Sequence, residues 1–281
     1  EIIHSNHGIM RILHTSDWHL GRTLYNKRRH DEFSRFLDWL VSFITNQRID
    51  VLLVAGDIFD SSNPGNQAQE LYYNFLGRMS RTGCRHVVIT GGNHDSPALL
   101  EAPREILKAL NIRVVGSAQD NVENEVIVLY DESGDPEAII CAVPYLRAKD
   151  VRTTGAGENA DEKQRNLLTG ISNHYNEVKA RAKETMTKSG KVVPLIGMGH
   201  LFTRNALTNE GDGVRELYIG TIAHVDGNSI SEGFDYMALG HLHQPQKVAG
   251  SDIIRYSGSP VKMGFNESDA KKVLVADFNS P

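Results

Sequence analysis

His86-Val87-Val88-Ile89-Thr90-Gly91-Gly92-Asn93-His94-Asp95 decides the fold. Four of its first five residues are β-branched and the run is too short for a helix, so it reads as a strand buried on both faces. Two glycines end the run and deliver an amide, an imidazole and a carboxylate in succession. The same arrangement recurs. Arg11 to Thr15 leads to Asp17-Trp18-His19, Val51 to Ala55 to Gly56-Asp57, Pro194 to Met198 to Gly199-His200, and Tyr236 to Leu239 to Gly240-His241-Leu242-His243.

Between these runs the apolar period changes from continuous to helical. Phe33, Phe36, Leu37, Leu40, Val41 and Ile44 share one helical face, as do Leu71, Phe75, Leu76 and Met79. Asn159 to Ser189 is charged, with Leu167, Leu168, Ile171, Tyr175 and Val178 as its apolar stripe, and predicts a long surface helix. Asp131 to Pro136 has turn composition between two further strands, Val126 to Tyr130 and Ala138 to Val143. Thr153-Thr154-Gly155-Ala156-Gly157 reads as a mobile loop. The class is α/β, with a site at the carboxyl ends of the strands, where such sheets place their ligands.

At 281 residues and 40% hydrophobic content, one large core and one domain are expected. Charges interrupt every apolar run before the ~18 residues a membrane helix needs, so the reading is a soluble chain with no membrane association. Cys84 and Cys141 lie far apart without CxxC spacing, which fits a reducing cytoplasm. Residues 1–9 read as a vector-derived remnant ahead of a natural start at Met10. The net charge of −5 argues against a general electrostatic nucleic-acid coat, so any DNA contact must be local. Arg22, Lys27, Arg28 and Arg29 form such a local basic cluster, readable equally as a DNA contact or a solvated turn.

Asp17, His19, Asp57, Asn93, His200, His241 and His243 make a mixed oxygen and imidazole set. That suits Mn, Fe or Zn better than Mg or Ca. Asp17-x-His19 and His241-x-His243 would each place two side chains on one face of an extended segment. A carboxylate can share its two oxygens, so Asp57 is the natural bridge. Two ions ~3.5–4 Å apart clamp a phosphoryl group and bring a water's pKa towards neutrality, an arrangement that hydrolyses phosphate esters. Taken singly, Asp-x-His and Gly-Asp are more often a cap or a turn and Gly-His is weaker still, whereas Gly-Asn-His-Asp and Gly-His-x-His are moderately specific; all five in order, each after a strand, are strong evidence. His4, His7, His14, His30, His86, His174 and His224 lack this context, and His14 reads as a satisfied buried histidine.

The chain resembles the calcineurin-like metallophosphoesterases and, more closely, the SbcD-like nuclease subunits of double-strand-break repair. Beyond the five clusters, the resemblance rests on Met10 to Gly21, Phe36 to Leu40, Gly56 to Asp60, Val143 to Arg147 and Tyr256 to Pro260, and runs to about Phe278. It implies a sandwich of mixed β-sheets flanked by helices. It implies one ion on Asp17, His19, Asp57 and His243 and another on Asp57, Asn93, His200 and His241, most often Mn. His94 would face the substrate phosphate as general acid or charge stabiliser, and Asp95 would orient His94 or cap the next helix.

The resemblance further implies a nuclease, exonucleolytic on duplex ends and endonucleolytic on single strands and hairpins, in DNA repair and recombination. Its partners would be DNA, an SbcC-like coiled-coil ATPase and a second copy of itself, through about Asn66 to Arg81 and Pro97 to Leu110. Residues 10–281 would be the nuclease domain, without the capping and ATPase-docking segments. Two other readings are a small-molecule phosphodiesterase or phosphomonoesterase on the same fold, and a DNA-end scaffold that does not cut.

Overall fold

The computed structural model describes residues 8–151, 158–203, 225–265, 267 and 270–279. In chain order the first half holds β1 (Ile9–Thr15), a hairpin of β2 (Thr23–Leu24) and β3 (Lys27–Arg28), α1 (His30–Gln47), β4 (Val51–Ala55), α2 (Asn66–Met79), β5 (His86–Thr90), α3 (Pro97–Glu101), α4 (Arg104–Ala109) and β6 (Ile112–Val115). The second holds β7 (Val126–Tyr130), β8 (Pro136–Ala142), α5 (Ala148–Val151), α6 (Ala160–Ser189), β9 (Leu195–His200), α7 (Gly227–Ser231), β10 (Tyr236–Gly240), β11 (Gln246–Lys247), β12 (Ile254–Tyr256) and β13 (Leu274–Asn279).

Sheet one has the order β13-β1-β4-β5-β6, and sheet two the order β11-β12-β10-β9-β8-β7. The parallel strands β1, β4, β5 and β6 of sheet one carry one antiparallel edge strand, β13, and the parallel strands β8, β9, β10 and β12 of sheet two are flanked by antiparallel β7 and β11. The carboxyl ends of β1, β4 and β5 therefore lie along one edge of sheet one, and those of β9 and β10 along one edge of sheet two.

Three apolar layers hold the sandwich. Ile12, Leu53, Val88, Ile140, Met198 and Ala238 belong to the core between the sheets. Leu52, Val54 and Ile89 face the other way, against Phe33, Leu40 and Phe75 of α1 and α2. Met237 and Leu239 pack with Ile171, Tyr175 and Val178 of α6. Each central strand is thus covered on both sides, which is why its sequence is a continuous apolar run rather than an alternation. β13 alternates half-buried with exposed residues, as an edge strand covered on one face does.

α6 opens on a capping box: Asn159 accepts from the Glu162 backbone N–H, and the Glu162 carboxylate accepts from that of Asn159. Gly190 ends it at φ 69. Pro97 to Leu110 is two short helices, divided at Pro103, which has no N–H to extend the hydrogen-bond ladder of the first. β1 begins at Ile9, inside the stretch read as a remnant, since Ile9 pairs with Asn279. β6 and β12, at three or four residues, had no sequence signal of their own. The Thr153 to Gly157 stretch, His4, His7 and His224 lie outside the described residues. No helix among those described is long and apolar enough to cross a membrane.

Candidate metal centre

Leaving β1, the chain does not continue extended. Asp17 and His19 sit at φ 54 and φ 49, Asp57 at φ 52 after β4, and His241 at φ 102 after β10. Left-handed geometry is uncommon for side chains bearing a Cβ and costs of order 1–3 kcal/mol each. The expected strand alternation of Asp17-x-His19 and His241-x-His243 is therefore corrected: sharp turns, not a pleat, bring the pairs inward. Trp18, between the two, points the opposite way into the helical core, edge-on to Phe36 and Phe75. Gly92 and Gly240 let the loops touch. A Cβ on Gly92 would collide with Asp57, and one on Gly240 with the Ala55 carbonyl across the sandwich.

The seven candidate residues converge. Asp17, His19 and His243 offer ligand atoms within 4.8 Å of one another, as do Asp57, His200 and His241. His19 Nε2 lies 3.1 Å from His243 Nε2 and 3.6 Å from Asp57 Oδ2. His200 Nε2 lies 3.2 Å from Asp57 Oδ2 and 3.0 Å from Asn93 Oδ1. His241 Nδ1 is 3.1 Å from that same Asn93 oxygen. Asp57 is thus central to both groups. It is 2% exposed, and Asp17 and His19 are fully buried.

Several partners fix these groups. The His200 Nδ1–H donates to the Ala55 carbonyl at 2.9 Å, which leaves Nε2 facing Asp57. The Asp17 carboxylate accepts from the His241 backbone N–H at 2.9 Å and from the Ser16 hydroxyl. His94 presents its backbone N–H to Asp57 Oδ1 at 2.9 Å and its Nδ1–H to the Asp60 carbonyl at 2.8 Å. A His94 ring atom also lies within 4.8 Å of ligand atoms of His19 and Asp57, at the open side of the pocket.

Asp95 does neither of the things expected of it. Its carboxylate accepts from the backbone N–H groups of Ile58, Phe59 and Gly92, tying the loop after β4 to the loop after β5, while Ser96 caps the next helix. Asp60 carries a role that no sequence argument assigned. Its carboxylate stands 3.3 Å from His19 Nδ1 and 3.1 Å from Arg22. The only signal was its place three residues after Asp57. His14, as expected, is buried and satisfied, between the Tyr236 hydroxyl at 3.0 Å and the Leu239 carbonyl at 3.2 Å. His86 and His174 bond elsewhere, to the Tyr130 carbonyl and Glu125.

The electrostatics match a cation site. Burial alone would raise Asp57, yet His200, by charge and hydrogen bond, and then His19 and His94 hold its carboxyl well below the usual range. Burial opposes protonation of His200, but Asp57 and Asp17 push it up to about 9. Burial, and then His200, drive His241 down to about 3. Burial raises Asp17 to about 6. Two buried carboxylates thus draw positive charge into the pocket, and divalent cations answer that demand when the imidazoles release their protons. The His19 and His243 imidazole nitrogens face each other at 3.1 Å, a packing that suits a bound cation between them. Imidazole, carboxylate and amide oxygen together form a donor set for Mn, Fe or Zn.

Residues 10–245 match the model of the calcineurin-like phosphoesterase family. The chain belongs to that family. Within it, the chain is 40% identical over 265 residues to the SbcD subunit of the nuclease SbcCD of Escherichia coli K12, covering 94% of this chain and 64% of the relative. The same-named protein of Bacillus subtilis 168 is 32% identical over 274 residues, covering 95% and 66%. The chain therefore spans about 64% of the length of the E. coli relative. A dimetal phosphatase from Danio rerio shares the fold, with a TM-score of 0.54, 12% identity, and 95% and 91% of the two chains covered. The α/β class read from the strand pattern and the sandwich of mixed sheets implied by the family resemblance are both observed.

Proposed function

We propose that this chain is a Mn-dependent DNA nuclease that hydrolyses phosphodiester bonds. The observation that supports it best is the pocket in which Asp57 joins two groups of buried donors, supplied by both sheets of a phosphoesterase fold. Asp17, His19, Asp57 and His243 would hold one divalent ion, and Asp57, Asn93, His200 and His241 the other. When bound, two such ions polarise the phosphoryl group and supply a nucleophile at neutral pH. His94 is not a ligand in this reading. Its Nδ1 is committed to the Asp60 carbonyl, which leaves Nε2 to meet the phosphate or the leaving oxygen.

DNA as substrate, exonucleolytic on duplex ends and endonucleolytic on single strands and hairpins, is supported by the relatives named nuclease subunits. The same likeness supports an SbcC-like ATPase partner, a homodimer, residues 10–281 as the nuclease domain, and action in the cytoplasm at the nucleoid.

Incubating the purified chain with end-labelled duplex, hairpin and single-stranded DNA, in Mn, Mg or chelator, tests the reading. Mn-dependent cutting that chelator abolishes is expected. Hydrolysis of a small nitrophenyl diester with every DNA left intact would replace it with the small-molecule phosphodiesterase. Two bound ions without hydrolysis of either would point to the non-cutting scaffold.

A further inference from the structure

The β2–β3 hairpin follows directly on His19, and its tip carries an aromatic side chain into solvent. Tyr25 is 78% exposed, and so is Phe265, which comes from the far end of the chain. The two rings nevertheless lie in contact, with centroids 5.1 Å apart and planes tilted by 36°. Each ring covers part of one face of the other and leaves the rest open. Two solvent-facing rings in contact offer flat apolar area and open π-faces to a ligand.

Contacts tie the pair to the metal centre. Ahead of the hairpin, Arg22 pairs with Asp60, whose carboxylate also faces His19. Just after it, the buried Arg29 donates to the Lys262 carbonyl and lies 5.7 Å from the Phe33 ring centroid, fastening the hairpin to the segment that carries Phe265. At the tip, Tyr25 and Asn26 have φ 47 and φ 60, a turn geometry that suits Asn or Gly and that a tyrosine adopts only under strain. Lys27, Arg28 and Lys262, all exposed, add positive charge to a chain whose net charge is −5.

Resting on the nuclease reading above, we infer that Tyr25 and Phe265 form a stacking platform for an unpaired nucleobase. The neighbouring cations hold the sugar-phosphate backbone as it leads towards His19. Every base has a π-face, so such a platform accepts any sequence, and local cations supply the backbone attraction that the whole-chain charge lacks.

The test compares the unsubstituted chain with Tyr25→Ala and Phe265→Ala by fluorescence anisotropy on a labelled single-stranded oligonucleotide, and on the same strand carrying abasic sites. Each substitution should weaken binding of the intact strand by roughly 5- to 150-fold, the span of one stacked base. It should cost little on the abasic strand, and turnover of a nitrophenyl diester should stay unchanged. Tyr25→Phe and Phe265→Trp should retain affinity. Unchanged binding of the intact strand overturns the platform and leaves the pair to a protein partner. An equal loss on both strands also overturns it, because the bases would then not be what is held. If the unsubstituted chain binds neither strand, the nuclease reading fails and the platform falls with it.

Discussion

The sheet built on β1, β4 and β5 delivers Asp17, His19, Asp57 and Asn93 to the pocket, whereas the sheet built on β9 and β10 delivers only imidazoles, His200, His241 and His243. Both carboxylates stand on one wall, and the other offers imidazoles alone. The closest contacts cross the gap: His200 to Asp57, His243 to His19, and the His241 backbone to Asp17. A divalent ion between the walls would therefore join the two sheets at their carboxyl ends. The charge that attracts it belongs to sheet one; the geometry that completes its coordination belongs to sheet two.

The largest effect should come from removing the shared carboxylate. Asp57→Ala takes away the group central to both donor sets and should lower phosphodiester turnover by ~10⁴-fold or more, beyond what loss of a single acid or base gives. Near-normal turnover would break the division of labour between the walls. His94→Ala should lower turnover by ~10²–10⁴-fold while leaving bound metal nearly intact. Loss of metal in that variant, measured by equilibrium dialysis, would make His94 a ligand instead.

Smaller effects sharpen the comparison. Asp60→Ala frees the far side of the His19 ring and should weaken metal affinity by ~10–100-fold, the usual cost of losing a group that orients a ligand. Unchanged affinity in a calorimetric titration would deny Asp60 that role.

His14 probes the sheets away from the ions, since it stands on β1 and bonds Tyr236 and Leu239 of β10. Burial holds its pKa at about 3, against an ordinary 6.5. The unfolded chain thus binds this proton more readily than the folded one. The corresponding stability is fully present above about 6.5 and is lost as pH falls towards 3. Between pH 7 and pH 5 that amounts to about 2 kcal/mol. Urea denaturation of His14→Gln beside the unsubstituted chain should show a shallower acid loss by that amount; parallel curves would show that His14 is not held neutral.

Much of this was legible in the residues because strand and ligand lie next to each other along the chain. Val51 to Ala55 and His86 to Thr90 are strands over the residues read as such, and the seven candidate ligands meet. What escaped depends on three-dimensional contact. The left-handed turns at Asp17 and His19 cannot be told from extended chain by residue type, because neither position is glycine. Asp95 looked like a helper of His94, yet its partners are three backbone N–H groups, which carry no side-chain signature. The Tyr25–Phe265 contact joins opposite ends of the sequence, and no local pattern announces it.

The most direct test of the account is the number of Mn ions bound per chain, measured by equilibrium dialysis with elemental analysis at saturating metal. Two ions per chain, falling to none in Asp57→Ala, is the result that a shared carboxylate between two sheets predicts. One ion or none on the unsubstituted chain, or two retained without Asp57, would contradict it.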